Sequence, residues 1–324
     1  MSEFEGFNFK ILEDIQRKAN EVKADIQFTE DLSPLLQKVK IGPKQAPNSF
    51  AILPMEGCDS ELDGTPSDLV RRRYRRYASG GAGLIWWEAC AVLQEAKANP
   101  HQMSLTSANV GSFASLLHET IKIAQETFGP SHRPINILQL THSGRYSRPE
   151  GKATPLVPQH DPILDPPLGI SADSPLISDA YLDDLIGAYV QSALLAQEAG
   201  YDGVDIKSCH RYLISELLAS YTRSGRYGGS FENRTRFPLT IIEEIRNAVG
   251  SDFIIASRIN VFDAHPFPYG WGVDEKDFLK PNLNEPLKYI GLLKKQGINL
   301  LSTSAGNPYS PIAYITRPFD QSII

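Results

Sequence analysis

From Ser49 onward the chain repeats one unit: a short apolar run, then a longer amphipathic segment. The apolar runs show no alternation of polar and apolar residues. A strand with one wet face alternates; a strand covered on both faces does not, and that happens when helices flank a parallel sheet on either side. Six runs qualify, at 50–54, 83–87, 135–140, 204–206, 253–257 and 299–302. Helices are predicted between them at 67–78, 110–128, 182–199, 236–249 and 286–296. The clearest, 182–199, carries apolar residues at 182, 185, 186, 189 and 193. Asp183 and Asp184 occupy its first turn and Gly200 follows its end, which suits the helix dipole and a glycine stop. An α/β fold follows, with six strand–helix units of which only the last lacks its helix. Ahead of them, Leu12, Ile15, Ala19 and Val22 have helical spacing, and predict an amphipathic helix packed on the outside of the sheet. Residues 31–48, with three prolines, read as a lead-in loop or hairpin.

Composition narrows the function. Of 324 residues, 41% are hydrophobic and 22% charged, an ordinary globular balance. A formal net charge of -6 argues against a nucleic-acid surface. Cys58, Cys90 and Cys209 form no C-x-x-C pair, so neither a disulfide framework nor a metal site is expected, and a reducing compartment fits. The N-terminal MSEFEGFNFK has no apolar core of a signal peptide, and no run nears the roughly 20 apolar residues of a membrane span. The expectation is a cytoplasmic enzyme acting on a small molecule, with no membrane or nucleic-acid partner; self-association is left open.

Chemistry is expected in the stretch 202–237, DGVDIKSCHRYLISELLASYTRSGRYGGSFENRTRF. A short buried strand, 204–206, is followed at once by Lys207, His210 and Tyr212, three side chains that donate protons or hydrogen bonds. Polar groups at the C-terminal end of a buried parallel strand are where an α/β barrel keeps its active site. The loop then closes in YGGSFENR, residues 227–234. This stretch resembles the old yellow enzyme family, the NADH:flavin oxidoreductases, which are FMN-dependent (β/α)8 TIM barrels. The resemblance runs from about Asp31 to the end of the chain. It implies an N-terminal helical extension and lead-in over 1–48 and an FMN-binding barrel over 49–324. That family continues with two more strands, whose loops bind the FMN phosphate, yet only 22 residues follow Ser302. The expectation is a chain truncated at its C-terminus; an incomplete barrel with exposed edges is the alternative.

The resemblance assigns roles residue by residue. Backbone at Pro54 and Met55 would lie along the flavin ring. Glu56 stands where the family often has Thr or Cys, and a carboxylate there opposes a negative charge on reduced flavin unless protonated or paired. Glu56 turned outward onto a surface cation is the other reading. ASGGAGLI at 78–85 and Glu88-Ala89 match family motifs, which implies Ala89 against the flavin. RRRYRR at 71–76 is read as a solvated helix face. In QLTHSGR, 139–145, the Gln139 amide offers a donor and an acceptor to the flavin's polar edge, while His142 and Arg145 are structural or at the rim. Lys207 and His210 replace the family's His-x-x-His or His-x-x-Asn, implying a grip on a substrate carbonyl oxygen. Alternatively Lys207 pairs with a local carboxylate and only His210 touches ligand. Tyr212 matches a proton donor, with ring packing as its plainer reading, and Cys209 is a packing residue. Arg258 would stabilise negative charge on the reduced ring.

The implied activity is hydride transfer from NAD(P)H through FMN to the β-carbon of an alkene conjugated to a carbonyl. His210 and Lys207 would hold the oxygen and Tyr212 would protonate the α-carbon. No GxGxxG follows a strand, so a separate Rossmann domain is not expected. Two rivals remain: a non-catalytic partial barrel, and another FMN barrel dehydrogenase acting on amines.

Overall fold

In a computed structural model describing residues 8–310, six strands lie side by side in the order in which the chain makes them. They are β3 (Ala51–Ile52), β4 (Leu84–Ala91), β5 (Ile135–Thr141), β6 (Gly203–Ile206), β7 (Ile254–Phe262) and β8 (Leu301–Ala305). Every adjacent pair is parallel. Crossovers of one hand that always step to the next position curl a sheet toward a barrel instead of reversing it at a switch point. The connecting helices are α3 (Asp68–Ser79), α4 (Val110–Phe128), α5 (Asp179–Glu198), the pair α6 (Leu213–Leu218) and α7 (Phe231–Val249), and α8 (Asn284–Lys295). The six predicted units are therefore present, with no helix after β8 among the described residues. Residues 1–7 and 311–324 lie outside the described residues, and with them most of the expected leader-free start and the expected truncated end.

The strands lack visible alternation because both faces are apolar. Ile85, Trp87, Leu138, Leu140, Val204 and Ile206 belong to the outer core, packed with buried helix residues such as Tyr74, Leu116, Leu182 and Ile241. Leu84, Trp86, Ile135, Ile137, Ile254 and Ala256 form a separate inner core. That inner core is closed by an antiparallel hairpin, β1 (Val39–Ile41) and β2 (Lys44–Ala46), through Ile41 and Ala46. A salt bridge of 2.8 Å from Lys44 to the buried Asp202 fixes the hairpin to the start of β6. Arg133 reaches the same carboxylate at 3.0 Å.

Several boundaries differ from the sequence reading, three of them for a plain physical reason. The strands β4 and β7 extend to Ala91 and Phe262, because their pairing continues past a register shift to Thr141 of β5 and Ala305 of β8. Helix α7 begins at Phe231, where the Ser230 hydroxyl accepts a hydrogen bond from the Asn233 amide, a capping interaction that outweighs the polar look of the first turn. An N-terminal helix, α1 (Leu12–Glu21), does form, but of its apolar stripe only Ala19 is buried; Leu12 and Ile15 face outward. Helical spacing foretells an apolar stripe, not a partner for it. No helix of the described residues is long and apolar enough to cross a membrane.

Gly203 shows how tightly the sheet is drawn in at β6. A Cβ there would stand 2.2 Å from the Ile254 carbonyl oxygen of β7, so the strand crosses its neighbour only without a side chain. Gly203→Ala is expected to destabilise the fold by about 3 kcal/mol through overpacking against rigid backbone. Urea denaturation measures it, and an unchanged midpoint would contradict this close approach.

Candidate active site

The four-residue strand β6, next to the centre of the sheet, carries one carboxylate among apolar neighbours. Asp205 is fully buried and points inward. It accepts hydrogen bonds from the Trp86 indole of β4 at 2.9 Å and the Gln139 amide of β5 at 2.5 Å. Its other oxygen accepts the backbone N–H of Arg258 on β7 at 2.7 Å. Burial pushes the Asp205 carboxyl up to about 6, against the downward pull of these donors and of the Arg258 charge. The Gln139 nitrogen is thus committed to Asp205, while the residue itself lines the cavity above.

Above this layer opens a cavity of about 380 Å³. Its wall is Pro54, Met55 and Glu56 after β3, Gln139 on β5, Lys207, His210 and Tyr212 after β6, Arg258 on β7, and Pro308 and Tyr309 after β8. Every residue given a cofactor-binding or catalytic role in the sequence analysis lines it except Ala89. Ala89 pairs in register with Gln139 and so shares its face of the sheet, but it is fully buried beside the cavity instead of in its wall.

The cavity's polar groups are joined. Lys207 is ion-paired with Glu56 and lies 3.9 Å from the centre of the Tyr212 ring. The Tyr212 hydroxyl donates to the second Glu56 oxygen at 3.1 Å, and the Tyr309 hydroxyl donates to that of Tyr212 at 3.3 Å. Glu56 is therefore turned inward, not onto a surface cation, and Lys207 has taken the local carboxylate. Burial and the Glu56 charge raise the Tyr212 phenol well above its ordinary value. His210 is pushed down to about 3 by burial and by the nearby Lys207 and Arg258 charges, so its imidazole is neutral near pH 7 and still donates one N–H. Arg258 donates to the Pro54 carbonyl at 3.0 Å, and its buried Nε has no partner among the described residues.

The turn that aims these side chains is strained. His210 and Arg211 adopt φ of 62° and 58°, left-handed values that side chains other than glycine seldom take. Arg211 is fully buried and ion-paired with Asp161 at 3.3 Å, Asp263 at 3.1 Å and Glu216 at 3.4 Å. Pulled down by three carboxylates, it leaves His210 and Tyr212 facing the cavity. Arg145 enters the same layer, paired with Glu216 at 2.6 Å and with Asp165, so it is structural and not at the rim. His142 is held by Tyr181 at 2.8 Å and accepts the Gly144 amide at 3.0 Å. Cys209 is fully buried.

The motif with the strongest resemblance also proves architectural. Ser230 caps α7, and Arg234 donates to the carbonyls of Leu218 and Gly229 and pairs with Glu285 at 2.7 Å. Of the basic run on α3, Arg71 and Arg75 pair with Glu119 and Arg73 with Asp59 and Glu88, while Arg72 and Arg76 are exposed on the helix face. Three residues of the site were not singled out in the sequence: Asp205, Pro308 and Tyr309. Asp205 had a signal, a carboxylate inside an apolar run. Tyr309 had none, since only the path of the chain after β8 brings it across the mouth to stack on Tyr146 at 3.7 Å between ring centres.

A singly wound parallel sheet whose strand ends enclose one polar cavity defines an enzyme of the barrel-type α/β class. Residues 34–274 match the model of the NADH:flavin oxidoreductase / NADH oxidase family, and the chain belongs to that family. It is 30% identical over 256 residues to an NADPH dehydrogenase of Geobacillus sp. (strain WCH70), covering 78% of this chain and 66% of the relative. It is 29% identical over 279 residues to an NADH oxidase of Thermoanaerobacter brockii, covering 84% of this chain and 39% of the relative. The chain thus spans less than two thirds of the length of these relatives. Among solved structures, an old yellow enzyme homologue from Zymomonas mobilis superposes with a TM-score of 0.68 at 22% identity, over 84% of this chain and 73% of that one. A 2-naphthoyl-CoA reductase complex gives 0.70 at 22% identity, over 87% and 42%.

The raised carboxyl of Asp205 has a measurable consequence. A group that binds its proton near pH 6 when folded, and near the ordinary carboxylate value when unfolded, contributes stability that is complete below about pH 4 and is lost as pH rises through about 6. Relative to Asp205→Asn, the native chain is expected to lose about 3 kcal/mol over that window, measured by urea denaturation at a series of pH values. A pH-independent difference would contradict the buried placement of this group.

Proposed function

We propose that this chain is an FMN-dependent oxidoreductase that uses NAD(P)H to reduce an alkene conjugated to a carbonyl group. One observation carries the reading: residues from five strand ends, far apart in the chain, line a single cavity of about 380 Å³. Its size lies in the range of small-molecule sites. The residues present fit a flavin's polar edge. The unpartnered Nε of Arg258 offers a cationic donor and the Gln139 amide, in the cavity wall, a carbonyl acceptor, as an imide with flanking carbonyls requires. Pro54 and Met55 would flank the ring, with Ala89 behind Gln139 leaving the space clear. When bound, FMN supplies the hydride, taken from NAD(P)H and passed to the β-carbon of the alkene. The relatives named as NADPH dehydrogenase and NADH oxidase support the use of a nicotinamide donor.

The chain's own residues then do three things. His210, neutral, donates an N–H to the substrate carbonyl oxygen, where negative charge grows as hydride arrives. Lys207 adds a positive charge from the same strand end, shared with Glu56. Tyr212 gives its phenolic proton to the α-carbon, a step helped by the Lys207 charge 3.9 Å from the centre of its ring. Free Cys58, Cys90 and Cys209 suit the reducing cytoplasm that the reading implies.

The purified chain is expected to be yellow, with stoichiometric flavin, to bleach with NADH or NADPH under anaerobic conditions, and to recover its colour when a cyclic enone is added. A colourless, folded chain would favour a non-catalytic barrel instead. Tyr212→Phe is expected to slow the recovery by tenfold or more (about 1.4 kcal/mol) while bleaching keeps its rate, followed by stopped-flow absorbance. Equal loss in both phases would remove Tyr212 from the proposed role.

A further inference from the structure

The hydrogen-bond chain in the cavity has a direction. Tyr309 donates to Tyr212, and Tyr212 donates to Glu56, whose other oxygen is paired with Lys207. Of the ion pair, the Lys207 side chain is 3% exposed and that of Glu56 is 19% exposed, so the carboxylate is the end that meets water. Tyr212 itself is buried. With Glu56 ionised, the phenolic hydrogen is held on the carboxylate and withheld from the cavity. With a proton on Glu56, the carboxyl donates to the phenol oxygen instead, and the phenolic hydrogen is free to turn toward a bound molecule.

We propose that Glu56 is a proton relay that carries protons from water to Tyr212, a role that rests on the alkene reduction proposed above. Its balance is simple. The Tyr212 O–H bond breaks as a C–H bond forms at the α-carbon of the enolate. The Glu56 O–H bond then breaks as that of Tyr212 re-forms, and the carboxylate takes its next proton from water. No further oxidant or reductant enters. Lys207 holds the carboxylate in place between turnovers and, 3.9 Å from the ring centre, stabilises the transient phenolate. The other charged or titratable groups around Glu56 are Cys58 on its own loop and Glu88 of β4, which accepts the Gly57 amide at 2.8 Å. Arg258 of β7, held at the Pro54 carbonyl, Cys209 and His210 after β6, Arg73 of α3, paired with Glu88 and Asp59, and Tyr309, beyond Tyr212, also face it. None of these lies between Glu56 and Tyr212.

Two readouts test the relay. In the chain labelled with ζ-¹³C tyrosine, and with no substrate present, the Tyr212 resonance is assigned by its loss in Tyr212→Phe. Glu56→Gln is expected to lower the pH at which this resonance ionises by about one unit or more, and Glu56→Asp to restore it. The double variant Glu56→Gln, Lys207→Met guards against a stranded lysine unfolding the single one. In the enone assay, Glu56→Gln is expected to slow product formation about tenfold and to enlarge the solvent deuterium isotope effect, with partial rescue in Glu56→Asp. A native chain that reduces the enone while Glu56→Gln changes neither readout overturns the relay alone. If Tyr309→Phe produces these changes and Glu56→Gln does not, protons enter through Tyr309 and the proposal is equally overturned. A native chain that shows the coupled ionisation but reduces no enone overturns the relay together with the reaction it serves.

Discussion

The geometry of the site hangs on one buried carboxylate. Asp205 sits on a four-residue strand and accepts hydrogen bonds from the strands on either side of it and from one beyond. An unpaired charge at that depth would be untenable; three N–H donors make it tolerable, though burial still favours the protonated form. In exchange the carboxylate decides two orientations at once. It takes the nitrogen end of Gln139, fixing which way that amide lies, and it ties the backbone under Arg258. Losing it would also leave the Trp86 indole N–H without a partner in the dry inner core, a penalty of about 1–3 kcal/mol.

A second layer of buried charge supports the loops above. Arg145 and Arg211 share Glu216, and Asp161 joins Arg211 to His265 at 2.8 Å. The loops after β5, β6 and β7 are therefore fastened to one another by ions instead of by an apolar core. This accounts for two consecutive left-handed residues surviving at His210 and Arg211. It also means that removing any single member strands its partners, so the layer behaves as a unit under mutation.

Much of this was legible in the sequence. Apolar runs between amphipathic segments identify the six strands; the polar residues after the fourth, Lys207, His210 and Tyr212, point to the cavity, and the family resemblance supplies the rest of its wall from Pro54 to Arg258. What could not be read is whatever depends on distant pairs. The inward turn of Glu56 is set by Lys207, 151 positions away, and Tyr309 meets Tyr212 across 97. No local pattern encodes either meeting. The YGGSFENR motif misleads in the opposite direction: it is the most recognisable segment, yet its glycines and Arg234 build a helix cap and an ion pair outside the cavity. The apolar stripe of α1 was legible as a pattern, while its exposure was not, because amphipathicity is local and burial is not.

Tyr309 closes the mouth from a strand that pairs, among the described residues, with β7 alone. A molecule lodged in the cavity touches the loops after β3 and β6 and the loop after β8 together, and so clamps that strand to its neighbour. By mass action, the tightness of ligand binding and the resistance of this sheet edge to fraying are then one free energy seen from two ends. Amide hydrogens along β8 would report occupancy through slowed exchange with solvent, at a distance from any group that handles the chemistry.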